Sequence, residues 1–376
     1  MRLVYPLLWS RPDRKACREQ SVSTAAALAR RGVEVTLMLP RGAGEAPLTA
    51  DALRDYFAVT GDFRVVQRPT RWAGEALGRT LMWLRQVFRD PELTGADLIY
   101  SRIPAMLGIG QRSPLPFATD HYRPWPDDWP WIRPLVRRTA AHERCLGHVL
   151  HSHFAAESYA RAGVPEEKIL VAHNGANPHP VGERAPDLAD GRPIALYAGR
   201  VNEEKGLDQI LALADLRPGT LFVLVGSEGD GPVEVEAARR ANVRVVPWQA
   251  PADLPAWLAA ADILLIPPSR APLETFRNCV LPLKLFAYLA AGRPILAPRA
   301  PDTAELLTDG ENALLVPPGD PQAAAAALDR VLGDAALAAT LSSGALASAR
   351  GLTWDRRAEK IETFLAGRLN RPGSRK

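Results

Sequence analysis

Short apolar segments alternate with segments of helical period along nearly the whole chain, and most of the apolar segments are of strand length. This alternation is typical of parallel sheets wound with helices, because strands buried on both faces read as continuous apolar runs. The rhythm runs up to about residue 172 and starts again near residue 194. A length of 376 residues also fits two domains. We therefore expect an α/β protein with two doubly wound, Rossmann-like domains.

The pattern predicts seven strands in the first half and six in the second. The first-half strands are expected at 3–8, 33–39, 64–66, 98–101, 117–120, 148–151 and 169–172, with helices at 16–31, 76–89 and 135–146. The second-half strands are expected at 194–198, 221–225, 243–246, 263–266, 294–297 and 313–316, with helices at 207–214, 233–240, 254–260 and 283–291. The alanine-rich stretch 322–349 predicts two more helices interrupted at Gly333.

A segment rich in Gly, Pro and Asp, residues 181–192, breaks both periods and predicts the linker between the domains. The expected N-terminal domain covers 1–182 and the expected C-terminal domain covers 190–352. A helix over 353–370 is expected to pack back on the N-terminal domain. The residues from Asn370 onward predict a basic, disordered tail.

The composition narrows the class of protein. With 47% apolar and 23% charged residues, it is ordinary for a soluble globular protein. No apolar run approaches the roughly 18 residues of a membrane span, and the first residues do not match a signal peptide. The three cysteines are widely scattered, which favours reduced thiols in a cytosol over disulfides or a zinc cluster. We expect a cytoplasmic protein.

Charge is unevenly distributed. Residues 1–185 carry 25 basic and 19 acidic residues, a net charge of +6, and the remainder carries −2 of the total of +4. The basic half suits an anionic partner, although composition bias explains it equally well. No base-reading motif or zinc finger is present, so nucleic acid is not an expected partner.

A helix with apolar and aromatic residues among arginines is predicted over 72–89, beginning with Trp72. It fits docking to an anionic membrane leaflet or a lipid-diphosphate acceptor, and equally a buried helix with an arginine rim. A peripheral position at the inner face of the membrane is the corresponding expectation for localisation.

The most informative segment is YAGRVNEEKG, residues 197–206, where a predicted strand runs into a turn that presents Arg200 and Lys205. The chain has six lysines among its 46 basic residues, so a lysine here is unusual for this sequence. An ammonium follows a phosphoryl group as a point charge, and a guanidinium supplies bidentate donors. The pair therefore predicts a site for a diphosphate leaving group.

Two further segments of the second half follow predicted strands. The loop GSEGDG begins at Gly226, which lets the backbone approach a ligand, although a structural turn explains it too. Lys284 lies in the first turn of the helix at 283–291 and is a candidate contact to nucleotide or phosphates, or a solvated surface lysine. Neither G-x-G-x-x-G nor a P-loop occurs, which disfavours a dinucleotide cofactor.

In the first half, Asp120 and His121 lie at the end of a predicted strand and are expected to face the acceptor side of a crevice. His121 is a candidate to orient a hydroxyl or stabilise charge, or a histidine that satisfies loop backbone. Trp125, Trp129 and Trp131 follow closely and predict a sugar-stacking platform or a membrane contact.

In their order and spacing, these segments resemble the retaining glycosyltransferases of family 4, which have the GT-B fold of two Rossmann-like domains facing a central cleft. The matching pieces are YAGRVNEEKG, LFVLVGSEGDGP, VRVVPWQAPADLPAWLAAADILLIPPS, PLKLFAYLAAGRPILAP and ELLTDGENALLVPPGDP. The segment HSHFAAESYARAGVPEEKILVAHNGANP resembles the end of that family's first domain. The resemblance is good over 149–334 and loose over the first 120 residues.

The resemblance implies donor-diphosphate contacts at Arg200 and Lys205, a donor-side Gly199, a catalytic or acceptor role for His121, and an acidic donor contact at Glu305. It also implies two glutamates seven residues apart, but Cys279 and Ala287 occupy those positions. Glu274 is a candidate replacement. The loop 10–20 lacks the family's usual glycines, and Arg14 or Lys15 is a candidate substitute.

The resemblance thus implies a retaining glycosyltransferase that uses a UDP- or GDP-sugar as donor and a glycan, lipid-linked or small-molecule acceptor. The two cations stabilise the departing diphosphate, so neither a metal nor a cofactor is required, and no D-x-D metal motif is found. The alternatives are a non-catalytic GT-B relative that binds nucleotide or glycan or partners an active enzyme, and a nucleotide-sugar epimerase.

Overall fold

The computed structural model describes residues 1–71, 76–176, 188, 191–271, 274, 281–301 and 303–370. The chain divides into two compact units. Unit 1 comprises Met1–Asn174 together with Trp354–Lys376, and unit 2 comprises Gly175–Thr353. The predicted linker at 181–192 lies mostly outside the described residues.

Unit 1 contains a seven-stranded sheet in which every neighbouring pair is parallel, in the order β3-β2-β1-β4-β5-β6-β7. The strands are β1 (Arg2–Pro6), β2 (Glu34–Arg41), β3 (Arg64–Pro69), β4 (Leu98–Ser101), β5 (Phe117–His121), β6 (Cys145–Leu150) and β7 (Ile169–Val171). Strands β4, β5 and β6 are buried along their whole length, which explains their continuous apolar sequences.

The first seven helices also belong to unit 1. They are α1 (Ala16–Arg30), α2 (Ala50–Phe57), α3 (Leu77–Val87), α4 (Met106–Ile109), α5 (Trp125–Asp128), α6 (Arg133–Ala141) and α7 (His153–Arg161). Single 3-10 turns lie at Pro91–Gly95, Gly110–Arg112, Pro130–Ile132 and Glu166–Lys168. The side chains of Thr49 and Ser152 cap α2 and α7 by accepting from backbone N–H groups.

Unit 2 contains a six-stranded sheet, again parallel between all neighbours, in the order β10-β9-β8-β11-β12-β13. The strands are β8 (Ile194–Ala198), β9 (Leu221–Ser227), β10 (Val243–Pro247), β11 (Ile263–Leu265), β12 (Ile295–Pro298) and β13 (Leu314–Val316). The helices are α8 (Asp208–Leu216), α9 (Pro232–Ala237), α10 (Leu254–Ala259), α11 (Leu283–Ala291), α12 (Pro321–Gly333) and α13 (Ala335–Ala349). A 3-10 turn covers Glu203–Lys205.

Both faces of the unit 2 sheet are covered by helices. Along β8, Ala195 and Tyr197 belong to one apolar cluster, which includes residues of α8 and α12. Leu196 and Ala198 belong to the other, which includes residues of α11. This alternation follows from the two-residue period of a strand. Unit 2 is therefore doubly wound, as the sequence predicts.

Helix α14 (Trp354–Leu369) follows unit 2 in the chain but belongs to unit 1, where it packs beside α1. Ion pairs join the two helices: Arg30, the last residue of α1, pairs with Asp355 at 2.5 Å, and the next residue, Arg31, pairs with Glu362 at 2.6 Å.

Among the described residues, no single helix is both long and apolar enough to cross a bilayer. Only the bent pair Pro321–Gly333 with Ala335–Leu369 meets the length and composition test.

Most predicted strands and helices lie within a few residues of the observed ones, and the two alanine-rich helices meet at Gly333 and Asp334 as expected. One helix prediction, at 135–146, is wrong at its end. Helix α6 stops at Ala141 because His142 adopts an extended conformation. Cys145 then begins β6, whose pairing with β5 places it in the sheet. Helices α2 and α7 were missed, although their N-cap residues were visible in the sequence.

Candidate functional site

The candidate site of unit 2 is built on the turn that follows β8. Strand β8 lies between β9 and β11, where the order of the strands reverses, and ligands of open α/β sheets bind at the carboxyl ends of such strands. Gly199 and Arg200 leave the strand there. Lys205 ends the 3-10 turn, and Gly206 closes it in the left-handed region at φ 70°.

Two glycines allow the backbone to pack closely at this turn. Gly199 has φ 146°, and a Cβ there would lie 2.6 Å from Nζ of Lys284 and 2.9 Å from the Tyr197 hydroxyl. Gly226, at the carboxyl end of β9, has φ 120°, and its Cβ would lie 2.3 Å from the carbonyl oxygen of Gly199. The backbone of Gly199 therefore leaves no room for a side chain at Gly226, and the positive φ of both residues favours glycine whether or not a ligand is bound.

Lys284 lies in the first turn of α11, and its side chain reaches the turn after β8. Its Nζ lies 3.7 Å from the centroid of the Tyr197 ring, a cation–π contact, and the Tyr197 hydroxyl donates to the carbonyl oxygen of Arg200 at 2.8 Å. Removal from water, with Lys205 as a further cause, holds the pKa of Lys284 well below its usual range. A bound anion would strongly stabilise the charged form of a lysine in this setting.

Lys205 and Arg200 complete the cationic turn. Lys205 is half-buried, and desolvation lowers its pKa, with Glu204 opposing and Arg200 reinforcing the shift. Arg200 Nε lies 4.0 Å from Oε1 of Glu228, and both side chains are almost half exposed. An ion pair at that distance and exposure contributes little, so the guanidinium keeps most of its donors for another partner.

We call the set of Arg200, Lys205 and Lys284 the cationic turn. They bring positive groups from one loop and one helix start to the carboxyl end of β8. Desolvation lowers the pKa of both lysines; Lys205 lowers that of Lys284 further, and Arg200 lowers that of Lys205 further. The arrangement is suited to a ligand that carries two negative charges close together.

The loop after β9 is ordered by its own side chains. The Ser227 hydroxyl lies 2.7 Å from Oε1 of Glu234, and it accepts from the N–H of Gly229 at 3.2 Å. Oε2 of Glu234 is buried and has no hydrogen-bond partner among the described residues. This loop therefore has a structural explanation, and the ligand contact predicted from Gly226 stays a prediction.

The structure gives less support to the residues predicted as acidic donor contacts. Glu274 is exposed, and its N–H donates to the carbonyl oxygen of Arg270 at 3.0 Å. Glu305 is half-buried in the turn that follows β12. Ala287 packs against the apolar cluster under α11, and Cys279 lies outside the described residues. Their donor roles stay predictions.

In unit 1, the structure corrects the role expected of Asp120. Its side chain is fully buried, and Oδ1 and Oδ2 each lie 2.9 Å from Nη2 of Arg357. His151 Nε2 is 2.6 Å from Oδ1, while the hydroxyl of Tyr100 and the amide of Gln20 donate to Oδ2 at 2.8 and 3.1 Å. Asp120 is thus a buried anchor for α14 and not an exposed acceptor contact. Position at a strand end could not reveal a partner 237 residues away.

His121 is buried beside this network, and its ring stacks on Tyr159 with centroids 6.3 Å apart. Desolvation, and then His148, hold its pKa well below the usual range, so the imidazole is neutral. Its Nε2 has no hydrogen-bond partner among the described residues. A neutral imidazole with one unused nitrogen is compatible with the predicted role of His121, which stays a prediction.

The tryptophans form a stacked series. The rings of Trp125 and Trp129 lie 4.5 Å apart, and those of Trp129 and Trp131 lie 6.4 Å apart, each pair at 26°. Trp125 is buried, Trp129 is 42% exposed and Trp131 is 70% exposed. The outer two rings therefore form an exposed aromatic surface, and its role as a sugar-stacking platform or a membrane contact stays a prediction.

The sequence also matches known families. The model described as "Glycosyl transferases group 1" matches residues 192–334, and the model of glycosyltransferase family 4 matches residues 21–179, so each covers most of one unit. The chain belongs to these glycosyltransferases. It is therefore a member of an enzyme family.

Relatives of this glycosyltransferase differ in what they are named for. A D-inositol 3-phosphate glycosyltransferase of Jonesia denitrificans is 30% identical over 45% of this chain and 41% of its own. A lipopolysaccharide core biosynthesis glycosyltransferase of Rhizobium meliloti is 28% identical over 42% of this chain and 44% of its own. The matches thus span less than half the length of these relatives.

The Anabaena protein HepE, solved in complex with UDP and glucose, has the same fold as this glycosyltransferase. The two structures superpose with a TM-score of 0.72 at 17% identity, over 98% of this chain and all of the other. At that identity the similarity shows the GT-B fold.

Sequence reasoning found all three residues of the glycosyltransferase's cationic turn but missed Tyr197 and Arg357. Tyr197 reads as an ordinary buried strand residue, although its hydroxyl donates to the carbonyl oxygen of Arg200 and its ring contacts Lys284. Arg357 lies in a helix with many charged residues, and nothing in its local sequence marks it as the buried one.

Proposed function

We propose that this chain is a retaining glycosyltransferase that moves a sugar from a nucleotide diphosphate sugar, with UDP as the favoured nucleotide, to a glycan, lipid-linked or small-molecule acceptor. The observation that carries the proposal is the cationic turn, in which Arg200, Lys205 and Lys284 meet at the carboxyl end of β8. The UDP found with HepE supports the choice of nucleotide.

The chemistry follows from where charge develops. When the bond between the sugar and the diphosphate breaks, the leaving group gains negative charge. Arg200 binds it as a bidentate donor, and Lys205 and Lys284 act as point charges in a poorly solvated place where electrostatic attraction is strong. The side chains supply this charge stabilisation themselves, so the proposal requires no metal ion.

Because Ala287 has no carboxylate, we expect a lower affinity for the donor than a glutamate at this position would give. Losing one hydrogen-bonded contact to a ribose costs about 1 to 3 kcal/mol, which weakens binding without removing the diphosphate contacts. The same absence is what would mark a non-catalytic relative, so turnover has to be measured separately from binding.

The test is a thermal-shift panel of UDP-, GDP- and ADP-sugars on the wild type and on Lys205→Ala. UDP-sugars are expected to stabilise the wild type, and Lys205→Ala is expected to lose that stabilisation. Lys360→Ala, an exposed lysine of α14, is the matched control and is expected to behave as the wild type. Wild-type stabilisation in Lys205→Ala would remove the proposed diphosphate site.

Turnover distinguishes the remaining functions. Release of UDP from a UDP-sugar, increased by glycan or lipid extracts, is the result expected of a transferase. Binding without any release of nucleotide under those conditions would show a non-catalytic relative. An epimerised sugar formed without an acceptor would show an epimerase.

We also propose a cytoplasmic position with a peripheral contact to the inner, anionic face of the membrane. On α3, the exposed side chains Leu77 and Leu81 lie one turn apart, followed by the exposed Arg85. Trp83 and Leu84 of the same helix are buried, which fixes the helix on the sheet. Trp72, which began the predicted helix, lies outside the described residues.

Co-sedimentation with vesicles tests this contact. Vesicles that contain an anionic lipid are expected to bind the wild type and to lose much of that binding with the double variant Leu77→Ser, Leu81→Ser. Equal binding of both proteins, or binding to neutral vesicles alone, would contradict the proposal.

A further inference from the structure

A cavity of about 560 Å³ opens in unit 1 at the carboxyl ends of β2 and β3. Arg41 and Pro69, the last residues of the two strands, are register partners, so the chain leaves both strands at the same level. The loops 42–45 and 70–71 form the walls with Gln86 of α3. Ligands of parallel α/β sheets bind at this edge, and the volume suits a small polar molecule.

Two arginines line this cavity and are not engaged elsewhere. Arg41 is half-buried and Arg71 is exposed, and neither side chain has a hydrogen bond or ion pair with the described residues. Their neighbour Arg68 shows the usual alternative, because it binds both oxygens of Asp90 at 2.7 and 3.0 Å. Because neither guanidinium group has an anionic partner in the part of the chain that the structure describes, the cavity carries an excess of positive charge there.

A second cavity at the amino ends of the same strands gives the contrast. It has a similar volume, about 610 Å³, and is also lined by two arginines. Arg2 there lies 3.1 Å from Glu34, and Arg64 lies 3.5 Å from Glu92, so each cation already has an anion. Of these two cavities, the one at the carboxyl ends of the strands is the one whose arginines have no ionic partner among the described residues.

The wall of the first cavity is held in shape before any ligand arrives. The carboxylate of Glu45 accepts from the N–H of Gly42 at 2.8 Å and from the hydroxyl of Ser10 at 2.9 Å. The hydrogen bond from Gly42, then the one from Ser10 and the nearby charge of Arg11, lower the pKa of Glu45 against a small opposing effect of desolvation. Glu45 is the only carboxylate among the described residues that line the cavity, and its oxygens are therefore turned to its own loop and to the loop after β1.

We propose that Arg41 and Arg71 bind a phosphate group of the acceptor in this cavity. The inference rests on the proposed transferase function and adds the chemical class of the acceptor: a phosphorylated molecule whose phosphate is held while a hydroxyl elsewhere receives the sugar. Guanidinium groups match phosphate oxygens with paired N–H donors, and the polar walls suit a head group and not an acyl chain. The phosphate belongs either to a soluble phosphomonoester or to a lipid head group.

The test uses the full chain in excess UDP, which occupies the cationic turn, and titrates glycerol 1-phosphate by calorimetry. The wild type is expected to bind it saturably, and the double variant Arg41→Gln, Arg71→Gln is expected to bind at least about tenfold more weakly. The matched control is Arg2→Gln, Arg64→Gln in the second cavity, which is expected to keep wild-type affinity. Equal affinity of wild type and Arg41→Gln, Arg71→Gln would overturn the proposal.

Vesicles that contain phosphatidic acid distinguish the two sources of phosphate. Vesicle binding that requires Arg41 and Arg71 would assign the lipid head group, and binding of glycerol 1-phosphate alone would assign a soluble acceptor. Binding of neither probe by the wild type would overturn the proposal. UDP affinity, measured in the same variants, is expected to be unchanged, so failure of the phosphate site is distinguishable from failure of the donor site.

Discussion

The two units have the same architecture but place their charges differently. Unit 1 has ionisable side chains in its interior: Asp120, Arg357 and His151 are all at most 3% exposed and contact one another. In unit 2, the buried polar residues among those described are neutral, such as Asn242, Ser269 and Asn312. Its cations stay half-buried at the edge of the sheet. A parallel sheet thus does not require a buried ion pair, and the network of unit 1 has another purpose, namely to hold α14.

The largest expected effect comes from Arg357→Met. Removing one partner of a buried ion pair leaves Asp120 uncompensated and costs about 3 to 5 kcal/mol of unfolding free energy. Amide hydrogen exchange should therefore accelerate in β5 and β6 and stay unchanged in β8 and β9. The double variant Arg357→Met, Asp120→Leu is expected to recover part of the loss. Equal acceleration in both sheets, or none, would contradict the comparison.

A fall in pH should also destabilise unit 1 more than unit 2. Burial lowers the pKa of His148 and of His151 to about 3, from 6.5, so the unfolded chain binds more protons than the folded chain between those values. Stability therefore falls as pH falls below 6.5, by on the order of 2 kcal/mol for each histidine at pH 5. The depressed pKa of Asp120 acts in the same direction at lower pH.

Exchange measured at pH 7 and pH 5 tests this. No histidine lies among the described residues of unit 2, so the protection of β8 and β9, corrected for the intrinsic rate, is expected to change less than that of β5 and β6. His148→Gln should reduce the pH dependence of unit 1. An equal change in both units would show that the buried histidines do not control it.

Lys284→Met tests the cationic turn of unit 2. Loss of a charged contact worth about 1.5 to 3 kcal/mol should weaken UDP roughly ten- to a hundredfold, while stability is not lowered because a poorly solvated charge is removed. Because UDP raises the depressed pKa of Lys284, binding should take up protons at a pH between its free and bound pKa values, and affinity should fall as pH rises there. Calorimetry in two buffers of different ionisation enthalpy measures both. Proton uptake that persists in Lys284→Met would assign it to another group.

The smallest effect is expected at the surface of unit 2. Arg217 binds Asp329 at 2.7 and 2.6 Å, but the pair is partly exposed, so Arg217→Ala should cost less than about 1 kcal/mol. Urea unfolding of this variant beside Arg357→Met compares an exposed pair with a buried one of the same chemistry. A cost for Arg217→Ala as large as that for Arg357→Met would remove the distinction based on burial.

The parts of the molecule differed in how well the sequence predicted them. Strands such as β4 and β8 were predicted at their observed bounds, and α11 likewise, because apolar runs and a terminal glycine are local signals. The cationic turn was found from local signals too, since Arg200 and Lys205 follow β8 closely and Lys284 lies in the first turn of α11. Asp120 was misjudged because its surroundings depend on Arg357, whose position no local pattern records.

The contact between Asp120 and Arg357 also has a consequence for biosynthesis. As the nascent chain leaves the ribosome, every strand of unit 1 emerges before the arginine that neutralises its central carboxylate. Unit 2 is synthesised in the interval and has all its described elements available first. Unit 1 can therefore reach its final stability only after α14 has been synthesised, and chains that lack α14 should be the ones that quality-control proteases degrade.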